Sequence, residues 1–243
     1  MPKIKFNEIY KDLKSKIENE EYEYQQMLPS ENTLVEIYHC SRNTIRRAVA
    51  LLSEEGYVQP LHGKGVRVIY QPVDAASFLI GGIETFQESA RRNHRTYITK
   101  VVQFDEVVCD ERLSRRTGFQ PGDALYYVRR VRYLDGKPLI LDTNFFLKSL
   151  VPGLTEVIAE KSIYEYIENE LQMAIVTSRR TMTVEHVTPA DESYLELGDY
   201  NCLAVVTGQT FNDDGLMFEY TQSRHRPDYF SFQTTATRKK VIA

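Results

Sequence analysis

The chain has 243 residues, 42% hydrophobic and 26% charged, with a formal net charge of −4. This is a soluble globular balance, long enough for one small and one medium domain. It excludes a protein that coats nucleic acid through a global positive field. Cys40, Cys109 and Cys202 are widely spaced with no C-x-x-C, so neither a disulfide framework nor a zinc site is implied, and no metal or other cofactor is expected. Met1-Pro2-Lys3-Ile4-Lys5 lacks the apolar core of a signal peptide, and no apolar run reaches the length of a membrane span. A cytoplasmic protein with no membrane partner is expected.

Phe6, Ile9, Tyr10, Leu13 and Ile17 keep helical spacing and predict a first helix over about 6–19. In Leu28-Pro29-Ser30-Glu31, proline breaks the chain and Ser30 can cap a second helix, with Leu34, Val35 and Tyr38 facing inward. A tight link then leads to Ser41-Arg42-Asn43-Thr44-Ile45-Arg46-Arg47. Ser41 can cap a third helix there, whose inward face is Ile45, Ala48, Val49 and Leu52. Two helices so closely joined predict a helix-turn-helix. The third helix carries Arg42, Asn43, Arg46 and Arg47 in its first turns, residue types that match guanine edges, adenine edges and phosphates. The same pattern also suits an ordinary solvated face. Beyond Gly56, two short strands flank Leu61-His62-Gly63-Lys64-Gly65 and complete a winged helix, with His62, Gly63 and Lys64 at the wing tip.

Leu28-Pro29-Ser30-Glu31, Ser41-Arg42-x-Thr44-Ile45-Arg46-x-Ala48, Gly56-Tyr57-Val58 and Gly63-Lys64-Gly65, in this order and spacing, resemble the DNA-binding domain of the GntR family of bacterial transcription regulators. The resemblance implies that Arg42, Asn43, Thr44 and Arg46 contact double-stranded operator DNA, and that the wing enters the minor groove.

The winged-helix domain is expected over 1–70 and a linker over 71–77. A second domain is expected over 78–243. It opens on an apolar, glycine-containing stretch, a helix from Glu84 to about Arg92, and a strand from Tyr97 to Val108. A weak internal repeat follows. One copy is a short helix ending at Gly118, a strand over 124–133, an Asp135-Gly136 turn and a returning strand over 139–146. The other is a helix over about 192–197 ending at Gly198, a strand over 203–211, an Asp214-Gly215 turn and a return over 216–223. Asp-Gly marks hairpins because glycine takes the positive φ such turns need. The repeat predicts an α+β domain: an antiparallel sheet with pseudo-twofold symmetry and helices on one face, with a ligand between the halves.

Arg130 and Arg132 lie two apart on one strand and so share a face. Two guanidiniums there suit a phosphate or carboxylate clamp, or equally a solvated basic face. Ser162 can cap a helix that carries Tyr164. The run Glu219 to Arg226 is too polar for a plain buried strand, so alternate side chains line a pocket or face water. This half resembles the effector domain of the HutC-type branch of GntR regulators, which shares its fold with chorismate lyase. The resemblance implies a phosphosugar effector, with Arg130, Arg132, Ser162, Tyr164 and the hydroxyl of Thr85 on the phosphate, and Glu219 on the sugar. At Asp142 many members have Glu, a departure at a sugar contact. The runs Ser162 to Leu171 and Tyr220 to Arg226 resemble trehalose-responsive members of the branch. They imply trehalose 6-phosphate as effector and add Arg226 to the expected site. N-acetylglucosamine 6-phosphate and glucosamine 6-phosphate remain the alternatives.

A homodimer is expected, binding a palindromic operator and released by the effector. The rival reading, a lyase-like enzyme, lacks support. The histidines are scattered, and no H-x-x-x-H, nucleophile elbow or phosphate-binding glycine loop occurs.

Overall fold

The structure, a computed structural model, describes residues 6–71, 77–79 and 83–233. The chain divides into two compact units. The linker expected over 71–77 falls mostly outside the described residues.

The first unit is a winged helix. Helices α1 (Phe6–Glu18), α2 (Glu31–Tyr38) and α3 (Arg42–Glu54) precede a hairpin of β1 (Val58–Leu61) and β2 (Gly65–Val68). Ile9, Leu13 and Ile17 of α1 pack with Leu34 of α2 and with Ile45, Ala48, Val49 and Leu52 of α3, the residues that the helical spacing turns inward. Burying each of the larger aliphatic side chains is worth roughly 1.5–3 kcal/mol. The Ser30 and Ser41 hydroxyls accept the backbone N–H groups of Thr33 and Thr44, each at 3.2 Å, and so start α2 and α3. His39, at φ 47°, ends α2 in the left-handed conformation and makes the tight turn. At the wing, Val58 pairs with Val68 and Leu61 with Gly65, and Gly63 takes φ 70° at the tip.

The second unit is built on a six-stranded antiparallel sheet in the order β4-β5-β6-β9-β8-β7. Its strands are β4 (Tyr97–Val108), β5 (Ala124–Leu134), β6 (Lys137–Leu147), β7 (Ile175–His186), β8 (Cys202–Asn212) and β9 (Met217–His225). The order is symmetric about the β6/β9 junction. Each half is a strand, a helix and a hairpin, with α5 (Glu111–Thr117) in the first and α8 (Pro189–Tyr194) in the second. A small separate sheet pairs β3 (Ser77–Leu79) with β10 (Ser231–Gln233).

Two expectations need correction. The helix expected over 192–197 is α8, which ends at Tyr194. Leu195 is already extended there, because Pro189 and the Thr188/Asp191 capping box start the helix earlier. Helices also cover both sheet faces, not one. Leu125, Phe145 and Tyr220 pack with Leu113 of α5, and Val131, Leu141 and Val205 pack with Ala190 and Tyr194 of α8. On the other face, Tyr126, Val128 and Phe146 pack with α6 (Glu156–Glu160) and α7 (Ile163–Asn169). Strand β6 is buried at consecutive positions from Leu139 to Phe146, so it needs cover on both sides.

Candidate functional site

Two surfaces hold the residues singled out in the sequence. On the winged helix, Ser41, Arg42, Asn43, Arg46 and Arg47 of the α3 start are exposed and Thr44 is half-buried. No acidic residue lies in the first turn of α3. The positive end of the helix is therefore not neutralised by its own side chains, which suits a polyanion. His62, Gly63 and Lys64 are exposed at the wing tip. Arg46 Nε donates to both carboxylate oxygens of Glu31, at 3.0 and 3.1 Å, across the exposed α2/α3 surface. Arg47 behaves differently: its guanidinium sits 4.0 Å above the Phe6 ring and packs back onto α1. The structure groups Arg42, Asn43 and Arg46 at one helix end and gives Arg47 a packing partner.

The second site is a cavity of about 180 Å³ on the sheet face that carries α6 and α7. Strand register builds it. Arg130, Asp142, Ser223, Val206 and Met182 are successive partners across five strands. The next row runs Val128, Asn144, Thr221, Gly208, Arg180, and the one beyond it Phe146, Glu219, Thr210, Ser178. A Cβ on Gly208 would lie 3.1 Å from Thr221 Cγ2, so glycine keeps the middle row open. Residues 84–87, entering α4 (Phe86–Arg92), and residues 161–164, entering α7, wall the sides. The cavity thus gathers Thr85, Arg130, Arg132, Asp142, Ser162, Tyr164 and Glu219 from five separate stretches of chain.

Arg226 is the exception and corrects the expected set. Side chains alternate along a strand, and Glu219, Thr221, Ser223 and His225 face the cavity. Arg224, on the opposite parity, is held on the other face by Asp191 and Glu185. Arg226 does not line the cavity. It donates to Asp228 Oδ1 at 2.7 Å and to the Glu196 carbonyl at 2.6 Å.

Buried charge decides what the cavity can take. Arg132 Nε donates to Asp142 Oδ2 at 2.8 Å and Nη1 to Thr99 Oγ1 at 2.7 Å. Burial alone would raise the Asp142 carboxyl, but the Arg132 and Arg130 guanidiniums outweigh it and hold it below the usual carboxylate range. Arg132 and Asp142 are therefore a self-neutralised pair. Glu219 accepts from Tyr164 Oη at 2.5 Å, Thr210 Oγ1 at 3.0 Å and Asn144 Nδ2 at 2.9 Å. Burial still pushes its carboxyl upward, and burial with the Glu219 charge drives the Tyr164 hydroxyl far above its ordinary value.

Arg130 has no such carboxylate partner. Its Nη2 donates to Asn144 Oδ1 at 2.9 Å and Nη1 to the Ala159 carbonyl at 3.3 Å, both neutral, and its buried Nε has no partner among the described residues. Burial and the neighbouring Arg132 charge press its pKa down to about 9, so the cation persists at neutral pH. A buried cation on neutral acceptors in an open cavity is a seat for an anion. Ser162 Oγ accepts the Glu165 N–H at 3.3 Å and the Thr85 hydroxyl accepts the Glu88 N–H at 3.1 Å, so both cap helices at the cavity wall.

Residues the sequence reading did not single out also line the cavity: Asn144, Ser178, Arg180, Met182, Thr210 and His225 among them. Asn144 was findable, since it lies two residues beyond Asp142 on the same strand face. The β7 residues carry no such signal, because no apolar run marks a strand there. Among the described residues, no cluster of three or more His, Cys, Asp or Glu is placed to hold a metal. No helix there is long and apolar enough to cross a membrane.

Residues 5–68 match the family model for bacterial regulatory proteins, gntR family, and residues 92–231 match that for the UTRA domain. The chain is 36% identical over 236 residues to the HTH-type transcriptional regulator TreR of Bacillus subtilis (strain 168), covering 97% of this chain and 98% of the relative. The solved effector-binding domain of the B. subtilis trehalose repressor (TreR) superposes with a TM-score of 0.54 at 37% identity, covering 59% of this chain and 99% of that one. The crystal structure of the possible transcriptional regulator YydK from B. subtilis covers 96% of this chain and 100% of that one, with a TM-score of 0.81 at 22% identity, a likeness of fold.

Proposed function

We propose that this chain, which belongs to the gntR family of bacterial regulatory proteins and carries a UTRA domain, is a repressor released from its operator by a phosphosugar, trehalose 6-phosphate. Membership of the family makes it a transcription regulator rather than an enzyme. The finer reading rests chiefly on one observation: Arg130 is a buried cation on neutral partners, in a cavity shared with Arg132, Ser162, Tyr164 and Thr85. A dianionic phosphate supplies the counter-charge for Arg130, while Ser178 and Ser223 of the rows beside it offer donors and acceptors to sugar hydroxyls. Trehalose is favoured over other sugars by the 36% identity to TreR of B. subtilis, whose solved effector-binding domain is that of a trehalose repressor.

On the DNA side, Arg42, Asn43, Thr44 and Arg46 enter the major groove, and His62, Gly63 and Lys64 follow the flanking minor groove. Two copies bind a palindromic operator in the cytoplasm. The effector prefers the dimer state whose heads do not fit both half-sites, so sugar phosphate and operator oppose each other reciprocally.

Thermal unfolding with trehalose 6-phosphate, glucose 6-phosphate, N-acetylglucosamine 6-phosphate, glucosamine 6-phosphate and free trehalose tests the ligand. At 100 times its Kd a ligand stabilises the fold by about 2.7 kcal/mol. We expect trehalose 6-phosphate to raise the midpoint most. A larger shift with another phosphosugar removes the trehalose assignment, and no shift with any phosphosugar removes the pocket assignment.

A further inference from the structure

We propose that Asn144 is a positioning residue for this pocket: it fixes the guanidinium of Arg130 so that the remaining N–H groups of that arginine meet the anionic end of the ligand. The inference rests on the reading of the cavity as a phosphosugar site and names a residue that this reading does not need.

Asn144 is 2% exposed, so its polar atoms must find protein partners. Both of its donor hydrogens have takers: Nδ2 lies 2.9 Å from Glu219 Oε1 and 2.9 Å from Thr221 Oγ1. Its one acceptor, Oδ1, lies 2.9 Å from Arg130 Nη2. The reversed amide would set an oxygen against the Glu219 carboxylate and an NH₂ against a guanidinium, two repulsions in a buried site. The amide orientation is therefore dictated by its neighbours.

Glu219 is itself immobilised. Its other oxygen accepts from Tyr164 Oη and Thr210 Oγ1 at 2.5 and 3.0 Å. The resulting chain runs from Tyr164 at the start of α7, through Glu219 of β9 and Asn144 of β6, to Arg130 of β5. Arg130 is closed from the far side by the Ala159 carbonyl of α6. An arginine has five N–H donors. Two are held by Asn144 and Ala159, which stops rotation of the guanidinium and leaves the second hydrogen of each Nη for a ligand, Nε being buried. Glu219, with both oxygens engaged, acts here through Asn144.

The test uses the full chain, with trehalose 6-phosphate and free trehalose as calorimetric probes of wild type, Asn144→Ala, Arg130→Ala and the double variant. If Asn144 works through Arg130, Asn144→Ala weakens trehalose 6-phosphate about tenfold to a hundredfold, the range for a hydrogen bond to a charged group. It leaves free trehalose unchanged, and it adds no further loss in the Arg130→Ala background. Equal losses for both sugars, or a loss that persists without Arg130, overturn the proposal. Should Asn144→Ala not fold, Asn144→Leu, which fills the space and supplies no acceptor, carries the same comparison. The Arg130 side-chain ¹⁵N signals give a readout free of ligand. Two resolved Nη resonances in wild type that merge in Asn144→Ala support the proposal, and Nη signals unchanged by the substitution contradict it. Failure of wild type to bind any sugar phosphate removes the functional reading alone, since the resonances still decide whether Asn144 holds Arg130.

Discussion

Arg132 and Arg130 lie two residues apart with different tasks. Arg132 is neutralised by Asp142, both nearly buried, so Arg132→Ala leaves the carboxylate without its hydrogen-bonded cation. We expect that substitution to lower stability by about 3–5 kcal/mol. Adding Asp142→Asn should recover much of the loss, and urea unfolding of the single and double variants checks this. A double variant as unstable as the sum of the two singles contradicts the pairing. Arg130→Ala removes a cation whose direct hydrogen-bond partners are neutral and should cost ligand affinity more than stability. His225 contributes a pH dependence between its free and its buried pKa. Burial lowers its pKa from 6.5 to about 4. The unfolded chain then binds the proton more readily between those values, so the contribution is complete above pH 6.5 and is lost as pH falls towards 4. The loss is roughly 3 kcal/mol. His225→Gln should flatten that part of the stability–pH curve, and an unchanged slope assigns the acid sensitivity elsewhere.

The elements show how far the sequence reaches and where it stops. The α3 reading needs only spacing and a cap: Ser41 begins the helix and Ile45, Ala48, Val49 and Leu52 go inward. Ser41→Ala should lower the stability of the first unit by about 1 kcal/mol. Arg46 and Glu31 form an exposed pair, which contributes little to the fold. Arg46→Ala should leave the unfolding midpoint in place, weaken operator binding, and reduce the salt dependence of binding by about one counterion. Glu31→Gln should tighten operator binding, because it frees Arg46 and removes a carboxylate from beside the phosphates. In the second unit, the polar alternation of Glu219, Thr221, Ser223 and His225 is legible in the sequence, and so are both Asp-Gly hairpins. Strand β7 is not: Ile175–His186 is rich in Thr and Arg and half open to solvent, as suits a sheet edge, and carries no apolar run to mark it. The symmetry of the sheet makes it visible, as the counterpart of β4 in the other half. Arg226 fails for a related reason, since a run of residues does not say where strand parity ends.

In the proposed function, a DNA-reading unit is joined to an anion-reading unit, each with its own core. Thermodynamics then imposes a symmetric requirement: whatever factor the sugar phosphate takes from operator affinity, the operator takes from sugar-phosphate affinity. Moving a population from mostly bound to mostly free needs a differential affinity of roughly 5 kcal/mol. The Arg130 seat is the part of the cavity most able to supply it, so Arg130→Ala should still bind operator yet no longer release it. The central claim is tested most directly by fluorescence anisotropy of a labelled operator fragment, selected from random DNA by the chain itself, titrated with the full-length protein in the presence and absence of saturating trehalose 6-phosphate. Trehalose 6-phosphate should cause a large loss of operator affinity, and free trehalose none. Unchanged affinity at saturation would contradict it.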